Sequence, residues 1–142
     1  RKSLITIQTG VVFDSAPFMR FYSSVIKQPD SSYAIGSAAW VVFAGAHPKN
    51  ALNKVSSFCD VEMQDPSGSI STVLTDVHWD LRYHWQRHLI SESKNKCEWN
   101  IRPGGRTSVP DTYRFVHRGY SKNLLGKLKE YTATSNTFTV TA

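Results

Sequence analysis

The stretch from Thr75 to Trp85 constrains the fold of this chain more than any other, because its side chains alternate in character. It reads TDVHWDLRYHW. Apolar and aromatic residues recur at every second position from Val77 to Trp85, and histidine, aspartate and arginine occupy the positions between them. Successive side chains of an extended strand point to opposite faces. The stretch therefore predicts a strand with one aromatic face against a core and one polar face.

Short strand signals of this kind recur along the chain, with turn residues between them. The apolar run 38–44 is typical of a strand buried on both faces, and the sequence DPSG at 65–68 predicts a tight turn. Helical periodicity is poor, and 124–131 allows about one turn of helix because Gly126 interrupts it. The chain is predicted to be all-β, an antiparallel immunoglobulin-like β-sandwich. Strands are expected at 4–7, 10–14, 23–28, 38–44, 57–64, 69–74, 81–86, 96–101, 113–118 and 138–141.

The composition indicates a globular protein and narrows the choice of partners. With 142 residues, of which 40% are hydrophobic, the chain suffices for one domain with its own core. No apolar run reaches the roughly 20 residues of a transmembrane helix. The formal net charge of +6 would suit nucleic acid, an anionic membrane or an acidic partner. The basic residues are scattered and no recognition helix or stacking motif accompanies them, so we expect no nucleic-acid partner.

Two local features fit a sandwich. Cys59 and Cys97 each alternate with apolar neighbours, so both are expected to point into the core from separate strands. They could form a disulfide between the sheets, which would suit an oxidising compartment, or remain two buried thiols. Tyr113 follows a turn at the start of a late strand, where immunoglobulin-like domains place a tyrosine whose hydroxyl bonds to the backbone. An ordinary strand tyrosine is the alternative.

The chain carries no recognisable catalytic motif. His84 and His88 have the spacing of a zinc site on a helix, but the alternation makes this stretch a strand, and no Glu follows His84. No serine stands in a Gly-x-Ser-x-Gly elbow, and no glycine-rich phosphate loop is present. We therefore expect no catalytic residue in this chain.

Several segments, taken in their order and spacing, resemble the C-terminal domain of neutral ceramidases, and together they cover nearly the whole chain. The sequence departs from that family at His47, where the family has asparagine, at Asp111, where it often has glycine, and at the two cysteines. The matching segments are GVVFDSAP at 10–17, YAIG at 33–36, VFAGAHPKN at 42–50, SFCDVE at 57–62, TDVHWDLRYHW at 75–85, EWNI at 98–101, YR at 113–114 with His117 and Gly119, and FTV at 138–140.

The resemblance implies a supporting role beside an enzyme. Neutral ceramidases hydrolyse the amide of N-acylsphingosine to sphingosine and a fatty acid with a zinc-activated water, and the zinc belongs to a large N-terminal catalytic domain. This chain, which lacks an initiating Met, would be a piece of such a protein: residues 1–20 an entry segment from the catalytic domain, and residues 21–142 the immunoglobulin-like domain that packs against it. The resemblance also implies the secretory pathway, with an extracellular, cell-surface or endolysosomal location.

Two roles at the boundary with the catalytic domain follow from the resemblance. The first is an interface built on Trp79, Arg82 and Trp85, since Trp and Arg are favoured anchors. The alternative is internal packing of both tryptophans, with Arg82 paired to Asp80 or Asp76. The second role is a calcium or magnesium site at the seam between the domains, with ligands from Asp76 and Thr75; the alternative for Asp76 is a turn residue.

A third role is contact with a membrane surface, because ceramide lies in bilayers and a basic group attracts anionic lipid. The candidate residues are Arg118, Lys122, Lys127 and Lys129. A competing function is an independent binding module for glycans or a lipid surface, which would require Trp40, Trp79, Tyr83 and Trp85 to line an open face.

Overall fold

The computed structural model describes residues 24–46, 57–89, 92–104, 110–122 and 125–142, without the side chains of residues 88, 89, 92 and 122. The expected strands at 4–7 and 10–14, the entry segment 1–20 and the turn at His47 lie outside these ranges. All regular structure within them is β-strand, and no helix there is long and apolar enough to cross a membrane. The strands are β1 Val25–Lys27, β2 Ser32–Ala34, β3 Ala38–Gly45, β4 Cys59–Gln64, β5 Ile70–Thr75, β6 Leu81–Leu89, β7 Glu92–Asn100, β8 Asp111–Lys122, β9 Leu128–Thr134 and β10 Phe138–Thr141.

The strands form two sheets packed face to face. The first sheet has the order β1-β3-β7-β6, and the second has the order β2-β10-β8-β4-β5 with β9 also paired to β8. The predicted all-β sandwich is confirmed. Antiparallel pairing holds throughout the described ladders except between β2 and β10, which are parallel. That exception arises because the chain leaves β2 for the other sheet instead of folding back as a hairpin, so β2 is free to pair with the last strand.

The core lies between the inward faces of the two sheets, and the alternation of each strand explains it. On β7, Cys97 and Trp99 are buried, whereas Lys96 and Glu98 on the opposite face are partly exposed. The inward face is strongly aromatic, with rings from both sheets in edge and stacked contacts, such as Trp99 against Tyr113 at 4.9 Å between centroids. The largest fully buried side chains are Trp99, Tyr83, Tyr113, Phe43, Phe58, Phe115 and Phe138.

A disulfide joins the two sheets across this core. Cys59 on β4 is bonded to Cys97 on β7, with their Cα atoms 6.3 Å apart and both residues fully buried. Of the two alternatives for these cysteines, the structure has the covalent one. The bond ties the second sheet to the first within the buried core.

A buried histidine provides a second link between the elements. His117 on β8 lies between Phe43 of β3 and Tyr83 of β6, with ring centroids 5.5 and 5.6 Å away. Its Nδ1 is 2.8 Å from the carbonyl oxygen of Phe58, and its Nε2 is 3.0 Å from the hydroxyl of Tyr131. A carbonyl only accepts, so Nδ1 carries the proton and Nε2 accepts from Tyr131. Burial lowers the pKa of His117 to about 4, so the ring is neutral in the folded domain.

Tyr131 on β9 reaches this histidine because its neighbour on β8 has no side chain. A Cβ on Gly119 would lie 2.6 Å from Cζ of Tyr131, which no other residue could accommodate without displacing the ring. The tyrosine hydroxyl also accepts a hydrogen bond from the amide of Ala46 at 2.8 Å. The glycine thus allows one ring on β9 to contact both β8 and the end of β3.

Three expectations about local structure are wrong. Alternation predicted one continuous strand from Val77 to Trp85, but residues 76–80 form turns; the start of β6 at Leu81 agrees with the strand expected at 81–86. The proposed helical turn in 124–131 is mostly strand β9, because pairing with β8 outweighs weak helical periodicity. β3 is buried on one face, with Trp40 and Val42 only partly covered. The turn at 65–68 is confirmed, with the amide of Gly68 bonded to the carbonyl of Asp65 at 2.9 Å and Gly68 at φ 89°.

Replacing both cysteines in the variant Cys59→Ala/Cys97→Ala should lower the free energy of unfolding by about 3–4 kcal/mol. The bond closes a loop of 38 residues, and its loss increases the entropy of the unfolded chain accordingly. Denaturant unfolding under oxidising conditions measures the difference. Addition of a reductant should bring the native chain to the level of the variant and leave the variant unchanged. Equal stability of the two proteins before reduction would contradict the prediction.

The neutral state of His117 should make folding sensitive to mild acid. The unfolded chain binds a proton near pH 6.5, and the folded ring does so only near pH 4. The contribution of His117 to stability is therefore complete above pH 6.5 and decreases as the pH falls toward 4, by about 3 kcal/mol in total. Unfolding free energies between pH 7 and 4 measure this loss.

The matched variants are His117→Gln and His84→Gln, since His84 is half-buried on the outer face of β6. The first variant should be less stable at neutral pH and show a flatter pH dependence. The second should keep the slope of the native chain. Equal slopes in the two variants would show that His117 does not cause the acid sensitivity.

Candidate interface at the β5–β6 turn

The turn between β5 and β6 presents an exposed tryptophan. It connects an edge strand of the second sheet to an edge strand of the first. The amide of His78 bonds to the carbonyl of Thr75 at 3.0 Å, and the amide of Leu81 bonds to the carbonyl of His78 at 3.2 Å. These successive turns place Trp79 outside the sandwich, where it is 79% exposed. An indole so exposed is typical of an anchor for another surface.

Arg82 lies beside Trp79 on the same surface. It is the first outward-facing residue of β6, and with Trp79 it borders an open groove of about 230 Å³. The start of β3 at Ala38, opposite Asn100 of β7, forms part of that groove. Two acidic residues, Asp80 and Glu98, complete it. The surface thus combines one aromatic ring with charges of both signs. Such a surface suits a protein partner better than a partner that carries only negative charge.

Trp85 does not belong to this surface, contrary to the sequence prediction. It is 4% exposed and packs with the core. The inward-facing residues of β6 are Leu81, Tyr83 and Trp85, as the alternation predicted. Trp79 lies in the turn before the strand and does not share their direction. The predicted trio therefore divides into Trp79 and Arg82 on the surface and Trp85 inside.

The acidic residues expected to pair with Arg82 have other partners. Asp80 forms an ion pair with Arg102, at 3.0 Å between Nη2 and Oδ2. The carboxylate of Asp76 accepts a hydrogen bond from the amide of Phe58. The ion pair of Arg82 with Asp80 or Asp76, which was the alternative to an interface role, is thus not formed.

Asp76, the predicted metal ligand, is a buried structural residue in this domain. It is 2% exposed, and its Oδ2 lies 2.7 Å from the Phe58 amide nitrogen. Its own amide donates to the hydroxyl of Ser57 at 3.2 Å. The amide of Thr75 is 3.0 Å from Nδ1 of His78. The described residues contain no group of three or more His, Cys, Asp or Glu side chains arranged for a metal ion, so the calcium or magnesium site stays a prediction about the seam between domains.

The basic group predicted for membrane contact is also divided. Arg118 on β8 forms an ion pair with Asp60 of β4. Lys127 and Lys129 are exposed near the β8–β9 hairpin, and the side chain of Lys122 lies outside the described residues. The same hairpin exposes two leucines that the sequence analysis passed over: Leu125 is 90% exposed and Leu128 is 37% exposed. The sequence did contain a sign of this exposure, because these two apolar residues do not fit the alternation of a strand with one buried face.

An aromatic platform for glycans is not formed by the residues that were proposed for it. Tyr83 and Trp85 are buried. Trp40 is partly covered, with the ammonium groups of Lys27 and Lys96 at 4.4 and 4.8 Å from its ring centroid. Trp79 alone of the four stands open, and a single ring offers little stacking surface.

Comparison with known proteins identifies the family. Residues 1–140 match the family described as neutral/alkaline non-lysosomal ceramidase, C-terminal. The chain belongs to this family. It is 36% identical over 139 residues to the neutral ceramidase of Pseudomonas aeruginosa, covering 96% of this chain and 20% of that protein. It is 29% identical over 139 residues to the neutral ceramidase of Drosophila pseudoobscura pseudoobscura, covering 96% of this chain and 19% of that protein.

The ceramidase C-terminal domain has the same fold in a solved relative. The crystal structure of neutral ceramidase from Pseudomonas aeruginosa superposes with a TM-score of 0.86 at 36% identity, covering 96% of this chain and 22% of that chain. The chain thus spans about a fifth of the length of the relatives that it matches. The resemblance drawn from the sequence motifs is confirmed at the level of the family and the domain.

Asp76→Ala should lower the free energy of unfolding of the ceramidase C-terminal domain by about 2 kcal/mol, because the buried amide of Phe58 would lose its charged acceptor. The matched variant is Asp80→Ala, which removes a carboxylate from an ion pair with the exposed Arg102. That change should cost less than about 1 kcal/mol. Denaturant unfolding without added metal measures both. Similar losses in the two variants would argue against a structural role for Asp76.

Proposed function

We propose that this domain braces the catalytic domain of a neutral ceramidase and takes no part in bond cleavage itself. The parent enzyme would hydrolyse ceramide to sphingosine and a fatty acid with zinc held by its catalytic domain. Support comes from the family match over residues 1–140 and from relatives of which this chain covers about a fifth, so most of each relative lies in other domains.

The observation that carries the bracing role is Trp79 at the edge of a groove. Its indole is 79% exposed at the turn and borders that groove together with Arg82. Arg82 and the acidic residues beside it provide polar contacts around that ring. An aromatic anchor with a charged rim is the usual composition of a protein interface. We infer that Trp79 and Arg82 contact the catalytic domain.

The bracing role is tested on the full polypeptide. Limited proteolysis between the domains, followed by size-exclusion chromatography, reports whether the two parts remain associated, and titration of the parts gives their affinity. Trp79→Ala should weaken that affinity by about 30-fold, the effect of losing a central aromatic anchor, and Arg82→Ala should weaken it to a smaller extent.

The matched control is Ile70→Ala, which truncates another exposed apolar side chain, 46% exposed on β5. It should leave the affinity unchanged. Native affinity in both the Trp79→Ala and the Arg82→Ala proteins would overturn the proposed interface. Equal unfolding midpoints of the variants exclude a general loss of folding as the cause.

The proposal includes a calcium or magnesium site at the boundary between this domain and the catalytic domain. Asp76 lies in the turn that leads to Trp79, so a ligand from the catalytic domain would approach the same region. The carboxylate of Asp76 accepts a hydrogen bond from the Phe58 amide, and carboxylate and carbonyl oxygens are the ligands that calcium and magnesium take in proteins. Calorimetric titration of calcium into the full protein and its Asp76→Ala variant decides this point, and equal binding by both would reject Asp76 as a ligand.

We also propose that the parent protein matures in the secretory pathway. The disulfide between Cys59 and Cys97 supports an oxidising compartment. The matching family is described as non-lysosomal, so the location that we propose is extracellular or at the cell surface.

A further inference from the structure

The neighbours of β8 change along the hairpin that it forms with β9. β4 pairs with β8 only from Thr112 to His117, whereas β9 pairs with it from Val116 to Lys122. From Gly119 onward, β9 is the only described strand that pairs with β8. Among the described residues, the end of the hairpin is therefore paired as a two-stranded ribbon, and its Tyr120 still packs against the core.

The tip of this ribbon exposes apolar and basic side chains together. Leu125 is 90% exposed and Leu128 is 37% exposed. Lys127 and Lys129 are exposed beside them, and Gly126 turns the chain with φ at 82°. Glu130 is the only acidic residue of β9 and the only negative charge of that strand beside the two lysines. The described part of this turn thus combines two exposed leucine side chains with two exposed lysines.

This geometry suits a lipid surface better than a protein partner. A stable protein interface needs about 800 Å² from each side, far more than two leucine side chains provide. Shallow insertion into a bilayer needs only a few apolar side chains at the level of the acyl chains, with cations at the level of the phosphates.

We propose that the tip of the β8–β9 hairpin inserts Leu125 and Leu128 into an anionic phospholipid bilayer, with Lys127 and Lys129 at the lipid phosphates. Arg118, part of the basic group predicted from the sequence, does not take part because it is paired with Asp60. The contact is separate from the docking of Trp79 and does not depend on it. It gives the parent enzyme a second, lipid-facing attachment.

Vesicle sedimentation of the full polypeptide tests the attachment. The vesicles are phosphatidylcholine with and without phosphatidylserine. The double variant Leu125→Ser/Leu128→Ser should reduce partitioning onto the anionic vesicles by about tenfold or more, since both apolar side chains are lost from the lipid. Lys127→Gln/Lys129→Gln should weaken binding to the anionic vesicles and reduce its dependence on salt.

The matched control is Ile70→Ser, an exposed apolar residue next to the β4–β5 turn. β4 runs from the level of His117 to the level of Thr112, so that turn lies at the end of the sheet opposite the β8–β9 tip. Ile70→Ser should bind vesicles as the native protein does. Native partitioning by the double leucine variant would overturn the proposal.

Fluorescence gives a direct readout of depth. Tryptophan placed at the tip by Leu125→Trp should shift its emission to the blue on anionic vesicles and be quenched by brominated acyl chains, whereas Ile70→Trp should show neither change. Unshifted emission from the Leu125→Trp protein on vesicles to which it is bound would overturn the proposal. So would emission that is already blue-shifted and protected from aqueous quenchers without vesicles, because another part of the polypeptide would then cover the tip.

The docking experiment distinguishes the two attachments. Trp79→Ala should weaken association of the domains and leave vesicle binding as it is. The double leucine variant should have the opposite effect. Failure of one result therefore leaves the other interpretation standing.

Discussion

A single chain of hydrogen bonds through the peptide groups of Phe58 connects segments of this domain that lie far apart in the sequence. The carboxylate of Asp76 accepts from the Phe58 amide, and the Phe58 carbonyl accepts from Nδ1 of His117. Nε2 of His117 accepts from Tyr131, whose oxygen accepts from the amide of Ala46. The chain of bonds runs from the β5–β6 turn through β8 and β9 to the end of β3. The bonds at Phe58 and Asp76 are buried and those of the Tyr131 hydroxyl are partly buried, so the loss of one member would leave its neighbour without a hydrogen-bond partner in a poorly hydrated place.

This connection explains how a turn with little packing of its own holds a surface residue in place. Trp79 itself contacts solvent over most of its area. The residue at the start of the turn, Asp76, is anchored in the interior, and the residue at its end, Leu81, is fully buried on β6. The turn is therefore fixed at both ends by the core. A candidate interface residue gains a defined position without contributing to the core that positions it.

Much of the fold could be predicted from the sequence, because alternation reports directly which residues face a core. Tyr83, Trp85, Cys97 and Trp99 lie inside as their spacing indicated. Alternation does not report where a strand begins, and the bonds between Thr75 and His78 shift that point past Trp79. It also fails for β9, where pairing with the preceding strand β8 over seven residues outweighs a local sequence without clear alternation.

The candidate surface was predicted less well than the core for the same physical reason. The ion-pair partners of three arginines lie far away in the sequence. Arg118 pairs with Asp60, Arg114 with Glu62 and Arg102 with Asp80, and no local pattern reveals these pairs. Motif resemblance succeeded where local patterns did not, because the order of short segments along the chain carries information about the whole domain.

The bond between Cys59 and Cys97 has a topological consequence for the surface at Trp79. The turn lies on the covalent ring that the bond closes, together with β5 and β6 and parts of β4 and β7. A peptide bond broken anywhere on this ring would leave both new ends attached to the same molecule. The segment that presents the exposed indole can thus be nicked without being shed, and only loss of the sulfur bridge would allow the pieces to separate.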